Sequence, residues 1–249
     1  MPPAPFTELG EHFAIDLPGA RAVFTTRRGG HSVGPYASLN LGFATEDDPD
    51  AMARNRAELP AAIGSPEPSF TYQVHGTDVR RITAARGGRD QGDRPRADGQ
   101  ATNLPGVAMA ALVADCLPIA VAGGGAAAMV HAGWRGLEGG VIAAGVKAVR
   151  ELASQGGEPE LAAAIGPGAG PCCYEVGGEV HAAFAGYSGV RRGDNLDLKE
   201  IARRQLLAAG VSDVYDIALC TLCAPPGLLY SHRGDGGVTG RQAGVAWLT

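Results

Sequence analysis

The chain has 249 residues, 45% hydrophobic and 19% charged, with a formal net charge of -5. That is ample material for a buried core in one or two domains, and an acidic balance without any Lys/Arg block excludes a surface built for nucleic acid or an anionic membrane, while leaving room for a local basic pocket. No apolar run approaches the roughly 18 to 20 residues needed to cross a bilayer.

The opening "MPPAPFTELGEHFAID" lacks the basic-then-apolar order of a secretory signal. Five cysteines, two of them adjacent at Cys172 and Cys173, make a poor disulfide framework and fit a reducing compartment. The expectation is a cytoplasmic protein that touches neither membrane nor nucleic acid. It is read as one domain over 1–249, with residues 1–20 as an N-terminal extension.

In chain order, strands are expected at "AVFTT" (22–26), "FTYQV" (70–74), "VAMAALVA" (107–114), "AAAMV" (126–130), "LAAAI" (161–165), "VYDIALC" (214–220) and "GVAWL" (244–248). Several are continuously apolar, as where both faces of a sheet are covered. Three helices are expected. "DPDAMARNRAELPAAIG" (48–64) opens with Pro and closes with Gly. "LEGGVIAAGVKAVRELASQGG" (137–157) sets Leu137, Val141, Val149 and Leu152 near one face. "DLKEIARRQLLAAG" (197–210) has Asp197 as N-cap, Glu200 three residues on, and Gly210 as the stop. "ARGGRDQGDRPRADG" (85–99) reads as a surface loop. Strands and helices interleave without a strict βαβ rhythm, which predicts an α/β sandwich of mixed sheets.

Three positions carry chemistry: His75 in "YQVHGTD", Cys116 in "VADCLP" and His131 in "MVHAGWRG". Each follows an apolar run and precedes a turn former, which sets the side chain at the rim of a sheet where sites are built. Two imidazoles and a thiolate suit zinc, and three protein ligands leave a fourth tetrahedral position open, the pattern of a catalytic site. Each residue taken singly reads more readily as a packed core residue. The separations, 41 residues from His75 to Cys116 and 15 more to His131, match no short metal signature.

Other segments are weaker. Cys220-x-x-Cys223 is half of a zinc knuckle without a second CxxC, and reads as packing at a strand end. The glycines of "IGPGAGPCC" form neither GxGxxG nor a P-loop, and no GxSxG occurs. "TTRRGGHSVGPYASLNLG" offers Arg27, Arg28, His31 and Asn40 in a turn-rich loop, either a solvated hairpin tip or a clamp for an oxyanion or phosphate. Arg135 is expected just before a helix starting near Leu137, where free N–H groups favour an anion. Asp115 adjoins Cys116, but neighbours along a strand face opposite ways, so it is not expected as a fourth ligand.

Read together, "FTTRRGG", "YASLNLG", "QVHGTDV", "ADGQAT", "ADCLPI", "HAGWRG", "AIGPGAGPCCYEVGGEV" and "DGGVTGR" resemble, in order, the motifs of the YfiH (DUF152) family over about residues 21 to 248. This family is also named for multicopper polyphenol oxidases, and its bacterial members are described as purine nucleoside phosphorylases. The resemblance implies a cytotoxic-necrotizing-factor/YfiH-like fold layered α/β/β/α. It implies zinc held by His75, Cys116 and His131; beside that set, the residues themselves offer Arg135 and the Arg27/Arg28 loop to hold phosphate in catalysis and Asn40 to orient a nucleoside.

The implied reactions are phosphorolysis of adenosine, inosine, guanosine and methylthioadenosine, plus adenosine deamination, so the expected partners are a nucleoside and phosphate. Three alternatives stay open: an amidase editing a peptidoglycan precursor at the same site, a metal-free Cys–His hydrolase built on Cys116 and His131, and a copper oxidase in which Met129 joins the His2Cys set. One departure is visible. "SHRGDGGVTGR" has His232 and Gly234 where the family pattern has Tyr and Arg, and one residue more.

Overall fold

The computed structural model describes residues 2–84, 94–154 and 159–249. Residues 85–93 of the expected loop and 155–157 of the second expected helix lie outside these. Two six-stranded sheets form the body. The first, in spatial order, is β1 (Thr7–Leu9), β2 (His12–Leu17), β3 (Ala20–Phe24), β14 (Gln242–Leu248), β7 (Ala108–Val113) and β4 (Pro68–Ser69). The second is β13 (Asp213–Asp216), β10 (Ala162–Ile165), β8 (Leu117–Gly123), β9 (Ala126–Ala132), β6 (Gly99–Thr102) and β5 (Val79–Ile82). Both are mixed, because parallel pairs occur only toward the edges, at β4/β7, β10/β13 and β5/β6. A two-stranded hairpin, β11 (Arg191–Arg192) with β12 (Asn195–Leu196), stands apart. The helices are α1 (Pro49–Ile63), α2 (Trp134–Gly139), α3 (Val141–Leu152), α4 (Gly178–Ala183) and α5 (Leu198–Ala208).

Alternation along the strands builds four layers. Ala22, Phe24, Met109, Ala111 and Ala246 of the first sheet meet Ala120, Ala122, Ala127, Met129 and Ala164 of the second in one buried cluster. The opposite face of the first sheet, Val23, Ala110 and Val245, is covered by Leu59 and Ile63 of α1. The opposite face of the second, Ile119, Val121 and Val130, is covered by Ile142 and Val146 of α3 and by Ile201 and Leu206 of α5. This is the expected α/β/β/α order. Between the sheets, alanines pack around Phe24, Met109 and Met129, and each methylene buried on either face of a sheet adds about 0.8 kcal/mol.

The termini of α1 and α5 follow the expected signals. Pro49 opens α1 and Gly64 closes it in the left-handed conformation, and the Asp197 carboxylate accepts the Glu200 backbone N–H at 3.0 Å. Four expectations are corrected. Residues 70–74 form no strand; the Gln73 side chain instead bonds both the N–H and the carbonyl of Leu112 at 2.8 Å, standing in for the neighbouring strand that backbone would have provided. The helix expected over 137–157 begins at Trp134 and is divided at Gly140, whose φ of 93° ends α2 before α3 begins. Residues 7–17, expected in an extension, form β1 and β2, with Ala14, Ile15 and Leu17 buried. The strand expected over 214–220 stops at Asp216, where Ala218 turns with a φ of 58°. No helix among the described residues is long and apolar enough to cross a membrane.

Candidate metal centre

The chain passes from the first sheet to the second at residues 114–116, between β7 and β8, and Cys116 lies at that crossing. Antiparallel register sets Pro118 opposite His131 and Leu117 opposite Ala132, so the end of β9 returns beside the cysteine. His75 reaches the same rim from the loop before β5, in a left-handed conformation with φ of 60°; Asp115, next to the cysteine, has φ of 94°. Positive φ at non-glycine residues is costly and collects where the surroundings over-determine the backbone.

The ligand atoms of His75, Cys116 and His131 all lie within 4.8 Å of one another. His75 Nε2 is 3.8 Å from Cys116 Sγ, and the two imidazoles meet edge to face with centroids 4.9 Å apart. His75 is exposed and His131 buried, so the group opens to solvent on one side. Gly133 makes the convergence possible: a Cβ there would stand 3.0 Å from both Cys116 Sγ and His75 Cδ2.

Asp98, just before β6 and buried, organises the group. Its carboxylate accepts the backbone N–H of Val74, of His75 at 2.8 Å and of Gly76 at 2.7 Å, and lies 2.9 Å from His131 Nδ1. That contact fixes the imidazole and turns Nε2 toward the cysteine, the outer-shell arrangement that orients a metal-ligating histidine. Burial opposes charge on both Cys116 and His131, but each favours the other's charge. The thiol is brought down to about 6, with His75 assisting, and the imidazole is raised to about 9, with Asp98 assisting.

The donor set fits one borderline-soft cation. Two nitrogens and a sulfur converge, the second nitrogen of His131 is anchored, and one side is open. Asp115 is not part of the group: its carboxylate accepts Thr221 Oγ1 at 2.6 Å, Ser231 Oγ at 2.7 Å and the Arg233 N–H at 2.8 Å.

The other residues named from sequence have varied commitments of their own. Arg135 lies in the first turn of α2, not before it; it is exposed and stacks on Trp134 at 4.3 Å. The Arg27 guanidinium donates to the carbonyls of Ala37 at 2.6 Å and Pro35 at 3.1 Å and lies over Tyr230. Arg28 reaches the Gly227 carbonyl and Glu11. Asn40 is buried, donating to Thr45 and Asp47 and accepting from Gly42 and Arg241. His31 pairs with Glu58 at 2.8 Å.

Three residues that sequence reasoning passed over belong here. Asp98 lies in "ADGQAT", quoted for its resemblance but given no role. Arg233 stacks over Tyr174 at 4.5 Å, and its charge, like that of Arg135, opposes the burial that pushes the Tyr174 hydroxyl up to about 12. Burial lowers Arg241, with the negative charges of Cys116 and Asp115 acting against it. The "TGR" run is the only signal that could have found Arg241. Arg233 stands in the segment that departs from the family pattern; there Gly234 is hydrogen-bonded to Ser231 Oγ, and a Cβ on it would meet that oxygen at 3.0 Å.

The model of a family described as multi-copper polyphenol oxidoreductase laccase matches residues 21–249. A protein named purine nucleoside phosphorylase from Xylella fastidiosa (strain 9a5c) is 39% identical over 250 residues, covering 93% of both chains. Purine nucleoside phosphorylase YfiH of Escherichia coli (strain K12) is 38% identical, covering 92% of this chain and 94% of its own. Among solved structures, YlmD from Geobacillus stearothermophilus superposes with a TM-score of 0.81 at 35% identity over 92% of each chain. The Bacillus licheniformis hypothetical protein YfiH gives a TM-score of 0.85 at 28% identity, covering 99% of this chain and all (100%) of its own.

Proposed function

The chain belongs to the multi-copper polyphenol oxidoreductase laccase family, which includes YfiH and YlmD, and from that premise we propose that it is a zinc-dependent purine nucleoside phosphorylase that also deaminates adenosine. The observation that carries the reading is the convergence of His75, Cys116 and His131 at an open rim, together with relatives that bear the phosphorylase name. The proposed substrates are adenosine, inosine, guanosine and methylthioadenosine, with phosphate as the second reactant.

His75, Cys116 and His131 hold the cation, and Asp98 keeps His131 in the ligating orientation. When bound, the metal supplies a Lewis acid beside the substrate. In phosphorolysis a phosphate oxygen forms the bond to C1′ of the ribose as the bond from C1′ to the purine nitrogen breaks. Positive charge develops on the sugar and negative charge on the departing base.

Arg135 is the proposed phosphate contact. It is exposed, four residues beyond His131, and its plane is set by the Trp134 ring. Arg233 adds positive charge on the Tyr174 side. A well-placed donor of this kind is worth about 3 kcal/mol in a transition state. Arg27, Arg28 and Asn40 spend most of their hydrogen bonds within the protein, so in this proposal they shape the wall near the substrate and carry less of the anion binding.

The test is to supply the purified protein with adenosine or inosine, with and without phosphate, and to resolve the products by chromatography. Expected are free base and ribose 1-phosphate only when phosphate is present, and inosine from adenosine in either case. Stripping the metal should stop both, and zinc should restore both. No base release from any purine nucleoside sinks the proposal. Activity that survives chelation but not thiol alkylation favours the Cys116–His131 hydrolase instead.

A further inference from the structure

Among the described residues, one other group is able to hold a metal ion: Cys172, Cys173, Cys220 and Cys223. The first pair sits in the turn after β10. In the second, Cys220 precedes the turn at 221–223 and is bridged to Gly168, and Cys223 is the last residue of that turn. The Cys220-x-x-Cys223 half-motif is therefore not alone; the fold brings it the missing pair from some fifty residues away.

All four sulfurs lie within 4.8 Å of one another, and Cys172 Sγ is 3.4 Å from Cys223 Sγ. Zinc–sulfur bonds of about 2.3 Å in a tetrahedron put neighbouring sulfurs about 3.8 Å apart. The cage thus matches a single ion and is too tight to enclose an iron–sulfur cluster with its own sulfides. The Cys220 sulfur also accepts the Gly170 N–H at 3.2 Å and is faced by the N–H groups of Leu222 and Cys223. Such donors favour a thiolate over a neutral thiol. Cys172 and Cys223 are exposed, which gives an ion a way in.

We propose that these four cysteines hold one thiophilic divalent cation of the zinc class as a closed, structural site separate from the His75–Cys116–His131 group. Binding replaces thiol protons with metal–sulfur bonds and needs no oxidant. Four protein ligands leave no position for substrate, so the site acts by strapping two segments together.

Both segments support the wall behind Cys116. Ala169 N–H donates to the Asp115 carbonyl at 2.8 Å, Thr221 N–H donates to the Gly168 carbonyl at 3.1 Å, and the Thr221 hydroxyl holds the Asp115 carboxylate. Gly168 packs so close that a Cβ on it would lie 3.1 Å from the Asp115 carbonyl oxygen and 3.2 Å from that of Cys116. The strap therefore holds the backbone on which Cys116 stands.

The experiment is elemental analysis of protein purified under reducing conditions, with cobalt(II) spectroscopy after metal removal. Wild-type protein is expected to carry about two zinc ions per chain, and both Cys116→Ala and the double variant Cys172→Ser/Cys223→Ser about one each. Cobalt(II) added to metal-free Cys116→Ala should give intense thiolate-to-metal charge-transfer bands, absent when Cys172 and Cys223 are also replaced. A wild-type content of one ion that disappears in Cys116→Ala overturns the proposal, as does a Cys172–Cys223 disulfide in place of metal. If the double variant fails to fold, Cys116→Ala alone decides. One ion retained in Cys116→Ala but lost in the double variant supports this site while removing the metal from the proposed phosphorylase centre, so the two readings fail separately.

Discussion

Asp98 and His131 form a buried carboxylate–imidazole pair, Oδ1 to Nδ1 at 2.9 Å, and the same carboxylate ties down three successive backbone N–H groups at residues 74 to 76. One side chain thus orients one proposed ligand directly and another, His75, through its backbone. Asp98→Asn leaves a single acceptor oxygen and turns an NH2 group against donors. We expect metal affinity of the His75–Cys116–His131 site to fall about 10- to 100-fold, read by competition with a chromophoric chelator. Unchanged affinity would show that Asp98 serves the fold alone.

Gly133→Ala separates geometry from stability. The backbone there, with φ of -81° and ψ of 173°, suits alanine, and losing a glycine stiffens the unfolded chain by about 0.4–1 kcal/mol in favour of folding. The added methyl nevertheless stands against Cys116 Sγ and His75 Cδ2. The metal-free variant should therefore melt within a few degrees of wild type, while metal affinity and turnover fall about tenfold or more. A variant with wild-type metal affinity would mean that the two ligands give way freely.

Arg135→Lys keeps the charge but loses the planar fork that suits phosphate oxygens and stacks on an indole. Phosphorolysis should suffer more than deamination, chiefly as a raised KM for phosphate, with KM for adenosine little changed. The comparison to make is the ratio of adenine to inosine formed from adenosine. Equal loss of both products at saturating phosphate would return Arg135 to a packing role beside Trp134.

Glu200 in α5 is held down to about 2 by hydrogen bonds and charge from Arg203 and Arg204, against partial burial. A depressed carboxylate contributes stability that is fully present above its unfolded value near 4.5 and is lost as pH falls toward about 2. After solvent screening, Glu200→Gln should cost about 1 kcal/mol at neutral pH. The gap from wild type, measured by urea unfolding, should narrow steadily between pH 5 and pH 3. A gap independent of pH would point to packing lost by the side chain and not to its charge.

Local patterns in the sequence determined an α/β sandwich of mixed sheets and much of the rim, while the α/β/β/α layering followed from the family resemblance. Continuous apolar runs marked the central strands, because both faces of each are covered. Pro49, Gly64 and Asp197 marked helix ends, because those positions answer to backbone geometry and unpaired N–H groups within one turn. His75, Cys116 and His131 stood out because each ends or follows an apolar run before a turn.

Only the tertiary structure decided what meets what. The strand at 117–123 hid behind Pro118, and the segment 70–74 lost its strand to the Gln73 amide, since both outcomes depend on a neighbour distant in sequence. Asp98 acquired its role from four donors, three from the loop at residues 74–76 and one from the end of β9. The Cys220-x-x-Cys223 pair looked solitary because its partners arrive on another crossing of the chain. Ligand spacing along a chain reveals a metal site only where one turn or hairpin supplies the whole cage; here the sheet rim and a long-range strap bring the donors together, and their distances exist only once the strands have paired.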